Sequence, residues 1–473
     1  MSGERPRVVV VGAGAGGTLT ALHLVRAARS SARPIDVVLL DPADQWGRGA
    51  AFGTTDDAHL LNVPASGMSA LPDDPDSFVR WLAARSGDGS VDPHAFVPRR
   101  LFARYLDEIL TCQHTAAGDL VGLAHVRTLA TGIARTGRGW RVAMRDGRPL
   151  DADAMVLALG LPRPSVDWAP GGLAGFARFV ADPWEPGALD RVRRDTAGPG
   201  DVLVVGTGLT MVDVALTLTG PGARPDRRVR AISRHGRLPR EHRTEQRPAM
   251  VPDVSGWGAD LDEILDRAAA HLRAARRATG DWRPGVDGLR FRVGELWGRL
   301  DDAARLRFVA EHAGEWGSLR HRIPAPSAQR LATLRAAGRL DVGRGQLVDA
   351  RPLVGGGLAV TLSDGTTSEV GWVVNCTGPA GDVRVLGNPL VDDLLRPRPG
   401  GALASVATAG LGLRTAGGRL VDDAGSAEAP AWAVGALRRG ELWESTAVPE
   451  IRAQAESVAR AVVTELSGAV ALA

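Results

Sequence analysis

Gly12, Gly14 and Gly17 stand at GxGxxG spacing between an apolar run, Val8 to Val11, and a stretch carrying Leu19, Leu22 and Val25 at helical intervals. The chemistry this pattern suits is the holding of a pyrophosphate. Gly12 permits a tight turn, Gly14 lets phosphates approach the backbone, and Gly17 lets the helix pack close to the strand. The helix N-terminus adds free N–H groups and roughly half a positive charge. A second strand, Val37 to Leu40, ends in Asp41, 24 residues after Gly17. An acid there accepts hydrogen bonds from ribose hydroxyls. A bare GxGxxG is also a common turn, but strand, helix, strand and terminal acid together point to dinucleotide binding.

A second unit begins at Val202 to Val205 and runs into Gly206-Thr207-Gly208-Leu209-Thr210-Met211. Met211 replaces the third glycine, which predicts a wider gap between helix and strand. The next strand, Val229 to Ile232, ends in Ser233-Arg234 and carries no acid. That pair suits a 2′-phosphate, which an acid would repel, so this site reads as one for NADPH rather than NADH. The alternative is a degenerate fold that holds nothing.

Other residues could act on a substrate. Arg320 and Arg322 could clamp a carboxylate bidentately, and His321 titrates near neutrality and could move a proton. The same Arg-His-Arg run also reads as a solvated charged face before Pro324. Trp443 and Glu444 are candidates for anchoring or proton delivery, although Glu444 equally suits the cap of a final helix. Arg99 and Arg100 could meet phosphates or coat the surface. Cys376 reads as buried and inert, and Tyr105 as core.

These residues need elements to carry them. The 473 residues amount to about three domains at roughly 150 residues each, and 44% hydrophobic with 23% charged residues is ordinary for a globular chain. The net charge of +3 makes no electrostatic case for nucleic acid. All 57 basic residues are Arg, which excludes a Walker A lysine and a Schiff base. Cys112 and Cys376 are the two cysteines, so there is no CxxC dithiol, and the ten scattered histidines include no HExxH. No run of 18 apolar residues suggests a membrane span. The N-terminus faintly imitates a signal peptide, but glycines, His23 and Arg26 interrupt it; the expectation is a buried first strand in a cytoplasmic protein. Trp140 to Gly160 and Leu358 to Gly378 repeat one another: a strand, an Asp-Gly turn, a strand, then an apolar strand ending in glycine. Gly160 and Gly378 would mark crossovers between domains. Leu261, Ile264, Leu265, Ala268 and Leu272 predict helices over about 258–338, and a last helix is expected from Val448 to Leu466, capped by Ser445 or Thr446.

Two nucleotide units, one inside the other, resemble the two-dinucleotide-binding-domain flavoproteins. More narrowly, the chain is similar to the bacterial YdhS-like FAD/NAD(P)-binding family. The motifs that carry this likeness are Gly47 to Thr54, His59 to Ala65, Val204 to Asp213, Ser233 to Gly236, Asn375 to Pro379 and Leu442 to Arg452. Asn62-Val63-Pro64, followed by Met68-Ser69-Ala70-Leu71-Pro72-Asp73, is also similar to the flavin-containing monooxygenases. There the asparagine sits by the flavin; the plain reading of Asn62 is a turn before Pro64.

The resemblance implies an α/β fold with two Rossmann-like domains and a helical insertion. A discontinuous FAD domain would span 1–165 and 346–473, and an inserted NADPH domain 166–345. The expected cofactor-binding set is Gly12, Gly14, Gly17, Asp41, Arg48, Gly49, Asn62, Met68, Gly206, Gly208, Thr210, Ser233, Arg234, Thr377, Gly378 and Thr446. The expected catalytic set is Asn62, Arg320, His321, Arg322, Trp443 and Glu444. One departure stands out: Val434-Gly435-Ala436-Leu437 lacks the Gly-Asp that many flavoproteins of this kind place before the last helix. The reaction implied is an FAD- and NADPH-dependent monooxygenation through a C4a-hydroperoxyflavin. It would use molecular oxygen and plausibly N-oxygenate a small amino-acid-like substrate of natural-product biosynthesis. A flavin-dependent reductase or oxidase, and a non-catalytic FAD/NADPH-binding partner protein, are the alternatives. Oligomeric state is not readable, and no metal, membrane or nucleic-acid partner is expected.

Overall fold

The computed structural model describes residues 5–137, 139–243, 245 and 247–471. Its first sheet grows from the valine run. Arg7–Val11 lies parallel between Ile35–Leu40 and Ala154–Leu157, with Val9 opposite both Val38 and Met155. Val121–Val126 extends one side of this sheet, and Ala431–Ala433 the other, in parallel; a short antiparallel hairpin, Thr415–Ala416 and Arg419–Leu420, completes seven strands. Val8, Val9 and Val10 are wholly buried, as β-branched strands covered on both faces must be. Helix Ala15–Ser30 covers one face, and the last helix, Val448–Ala471, packs along it; Leu22, Val25, Val458 and Val462 share their core.

The second sheet has five parallel strands, in the order Leu340–Arg344, Val229–Ser233, Val202–Val205, Trp372–Asn375, Phe179–Val180. The expected boundary after 345 therefore cuts through this sheet. Trp372–Asn375 pairs with Val202–Val205, and its apolar side chains fill the second core, so the inserted unit continues to Asn375. The crossovers do fall at Gly160 (φ +73°) and Gly378 (φ +86°). The two linkers touch through a bridge between Pro164 and Pro379.

The internal repeat is real. Ala130–Arg135, Trp140–Met144 and Pro149–Ala152 form one three-stranded antiparallel sheet, and Leu347–Pro352, Leu358–Leu362 and Thr367–Val370 form another. Each leads into a parallel strand of its unit's main sheet, Ala154–Leu157 in the first and Trp372–Asn375 in the second. The insert contributes helices from Leu261–Thr279 to Ala313–Arg320; the following helix, Ala325–Ala336, packs on the second unit. The insert's own core joins Leu261, Ile264 and Trp297 to Leu411 and Trp443 of the first unit. It thus bridges back to the domain that the chain has left. Among the described residues, no helix is long and apolar enough to cross a membrane and no residue cluster could hold a metal ion.

Candidate active site

Both glycine loops leave the carboxyl ends of their central strands, and they do so in the same way. Gly12 has φ +100°, and a side chain there would strike the Ala158 carbonyl; Gly206 has φ +112° and would strike the Cys376 carbonyl. A Cβ on Gly17 would strike the Gly12 carbonyl, so this glycine serves helix–strand packing, as its place in the pattern suggests. Met211, at the equivalent place in the second unit, is fully buried in the core. The helices that follow, Ala15–Ser30 and Leu209–Thr219, have no side-chain cap, so their first amides stay free for an anion.

The two loops open onto one cleft of about 2420 Å³. It is lined by Gly12, Gly14, Asp41, Arg48, Gly49, Asn62 and Met68 from the first unit and by Gly206, Gly208, Thr210, Ser233 and Arg234 from the second. Thr377, Gly378, His321, Trp443, Glu444 and Thr446 complete the expected residues that reach it. Asp41 accepts from the N–H groups of Ala13 and Ala43, at 2.8 Å each, and so braces the first glycine loop. Ser233 braces the second: its hydroxyl accepts from the Gly236 amide at 2.9 Å and donates to Thr207 Oγ1 at 2.8 Å, whose own proton goes to Arg237 O. Arg234 is exposed and makes no ion pair among the described residues. The residues therefore fit a dinucleotide at each loop.

Asn62 closes no turn through its side chain among the described residues. Instead its backbone carbonyl accepts from His242 Nε2 at 3.0 Å. Burial, aided by Arg322, pushes His242 down to about 4, so it is neutral at pH 7. In place of the missing acid near 435, Gln454 on the last helix accepts from the Gly435 amide at 2.8 Å. The helix begins with Ile451 N–H donating to Ala447 O at 3.0 Å, so neither Ser445 nor Thr446 caps it; Ser445 Oγ is buried without a partner.

The Arg-His-Arg run is neither a solvated face nor a two-armed clamp. Arg320 and Arg322 are buried. Arg322 pairs with Asp287, and Arg320 lies 3.7 Å from Glu444 and 3.8 Å from Glu450. Only His321 reaches the cleft. Burial, with Arg320 adjacent, lowers it to about 4, so it does not titrate near neutrality as expected and stands there as a neutral imidazole. Glu444 is not a helix cap; it accepts from Trp316 Nε1 at 2.7 Å. Trp443 holds a left-handed backbone (φ +56°), a conformation costing roughly 1–3 kcal/mol. Trp297 and Phe308, each 5.1 Å away centre to centre, hold its ring. Phe308 opens a single π-helical turn, Phe308–His312, a feature frequent at functional sites.

Several residues at the cleft were not singled out from sequence. His59 is buried and bridges the units, bonded to Thr54 Oγ1 at 2.6 Å and to Thr217 Oγ1 at 2.8 Å. Arg99 does not coat the surface: it lines the cleft and pairs with buried Asp213 of the second unit at 2.7 Å. Arg100 stays at the surface with Asp57. Asn375 is wholly buried and ties both linker and loop, donating to Ser165 O and Ala181 O and accepting from Thr377. His59, Asp213 and Asn375 sat inside family-like motifs; Trp316 and Arg439 had no such signal. Cys376 is buried, which raises its thiol well above the ordinary value, and Tyr105 is core, donating to Ser77 at 2.8 Å.

Residues 9–162 match the family model NAD_binding_9, described as FAD-NAD(P)-binding. No curated protein matches the chain. Among solved structures it is similar to ornithine hydroxylase (PvdA) from Pseudomonas aeruginosa, at 15% identity, covering 98% of this chain and 100% of the other with a TM-score of 0.63. L-lysine 6-monooxygenase from Pseudomonas syringae is similar at 16% identity, covering 97% and 99%, with a TM-score of 0.60. Bacillithiol disulfide reductase Bdr (YpdA) from Staphylococcus aureus is similar at 9% identity, covering 98% and 99%, with a TM-score of 0.56. The chain therefore carries an FAD-NAD(P)-binding match on its first unit and, over nearly its whole length, shares the fold of these proteins.

Proposed function

We propose that the protein is an FAD-dependent, NADPH-using monooxygenase acting on a small amine-bearing substrate, of the amino-acid-like kind that ornithine and lysine exemplify in its structural neighbours. The observation that carries this reading is the single cleft. Two phosphate-binding loops and a third wall from the helical insert face the same space, so a flavin, a nicotinamide and a small molecule can meet there. FAD, when bound, supplies hydride acceptance and the reaction with oxygen. Gly12, Gly14 and Asp41 hold the first nucleotide, and Gly206, Gly208 and Arg234 the second. Asn62, fixed through its carbonyl by His242, lines the cleft, as Met68 does. Trp443 and Trp316 narrow the insert side and exclude water, and His321, kept neutral, offers a hydrogen-bonding imidazole there. A disulfide-exchange reaction lacks its dithiol: Cys112 is exposed and Cys376 buried, in different parts of the chain.

The test is anaerobic reduction of the FAD-loaded protein by NADPH, followed by mixing with oxygenated buffer. A near-ultraviolet absorbance that outlasts mixing and decays as oxidised flavin returns supports the monooxygenase. Direct return with stoichiometric peroxide, in the presence of candidate amines as well, favours an oxidase or reductase. No reduction by NADPH refutes the assignment of the second nucleotide unit.

A further inference from the structure

Arg439 is a cation without a partner. It lies on the cleft wall, and among the described residues it makes no ion pair and no side-chain hydrogen bond. Its guanidinium stacks over the Trp443 ring at 4.5 Å, the ring that Trp297 and Phe308 fix from behind. The surrounding charges do not neutralise it. Glu450 is taken by Arg290 at 2.5 Å, and Glu444 and Glu450 share Arg320. Three guanidiniums thus face two carboxylates, and of the three only Arg439 lines the cleft, with Glu444 beside it on the same wall. Helix Ala313–Arg320 lines the same cleft through Ala313, Gly314 and Gly317, and a side chain at Gly314 would meet nothing within 4 Å. The cleft is therefore open along that helix.

We infer that Arg439 is the anchor for a carboxylate on the substrate, held in the corner between Trp443, Trp316 and His321. This rests on the proposed function and deepens it by assigning the residue that takes the substrate's carboxylate. A guanidinium gripped on its face by tryptophan keeps its edge free, and the edge is the part that binds a carboxylate with two parallel hydrogen bonds. Burial draws the Arg439 guanidinium below the ordinary arginine value, against Glu444, so an incoming anion relieves a desolvated charge. The other occupant of comparable charge would be the reduced flavin itself.

The experiment uses the FAD-loaded protein and matched probe pairs: benzoate with benzamide, and lysine with cadaverine. Binding is read by tryptophan fluorescence, which Trp443 and Trp316 report, and by perturbation of the flavin spectrum. We expect the acid of at least one pair to bind tenfold or more tightly than its counterpart without the carboxylate. R439Q should abolish that preference without moving benzamide binding, and R439K should restore part of it. Equal binding of acid and counterpart, or no acid binding at all, overturns the inference. So does a preference that survives in R439Q, or a ligand-free R439Q whose reduction by NADPH is altered while its acid preference persists, which would assign the charge to the flavin. Protein that holds FAD and is reduced by NADPH yet shows no acid preference fails this inference alone. Protein that accepts neither cofactor fails the proposed function as well.

Discussion

At the scale of single residues, the two glycine loops make the sharpest contrast. Gly12 and Gly206 have the same backbone problem and the same remedy, a glycine pressed against the carbonyl of a neighbouring strand end. Alanine at either position must shift that carbonyl and adopt an unfavourable φ, at a cost of roughly 1–3 kcal/mol locally. Gly12→Ala should lower the FAD content of purified protein several-fold. Gly206→Ala should keep FAD but slow its reduction by NADPH at least tenfold. The flavin absorbance ratio and stopped-flow rates check both, and loss of FAD from the Gly206 variant would argue against separate sites. These glycines were legible because a backbone requirement leaves few residue choices. The Arg-His-Arg run was not, because its partners Asp287, Glu444 and Glu450 lie 35 to 130 residues away in sequence, and only packing reveals that its arginines are internal.

At the scale of elements, the insert is pinned to the last helix by charge as well as by its apolar core. Glu450 sits in the first turn of that helix and meets Arg290 and Arg320 from two insert helices. Glu450→Gln leaves both guanidiniums buried with less compensation. We expect a loss of about 3 kcal/mol in urea unfolding, the order found when one partner of a buried pair is removed. An unchanged midpoint would show that the apolar contacts alone hold the insert. The helices themselves were legible from apolar spacing at Leu261, Ile264 and Leu265. Their docking on Leu411 and Trp443 was not, since periodicity reports that a face is buried but not against what. The same limit misplaced the domain boundary: Trp372 to Val374 reads as a buried strand, but the sheet it joins is a tertiary fact.

At the scale of the whole molecule, His23 lies in the first unit while His242 and His321 flank Arg322 together, and burial pushes each of the three down to about 4. The unfolded chain binds protons at these sites below pH 6.5, whereas the folded chain resists until about 4. Their contribution to stability is thus complete above pH 6.5 and is lost as pH falls toward 4. For fully buried His23 alone it amounts to roughly 3 kcal/mol at most. Thermal melts should therefore fall steadily between pH 6.5 and 4.5. A flat profile over that range would contradict the buried neutral state of these rings.

The interleaving of the two units also sets an order of events during synthesis. The first sheet needs Ala431–Ala433 as well as Arg7–Val11, and its covering helix needs Val448–Ala471, so it cannot be completed until nearly the whole chain has emerged from the ribosome. The second sheet closes with Trp372–Asn375, well before that. Contacts this far apart in sequence carry a large loop-closure cost, which an already folded inserted unit reduces by holding the chain at Gly160 close to the chain at Gly378. Nascent chains stalled shortly after residue 420 should accordingly show protease resistance over about 165–378 while residues 5–160 are still cut. Simultaneous protection of both would mean that the first unit gains enough from its four N-terminal strands to fold without its final helix.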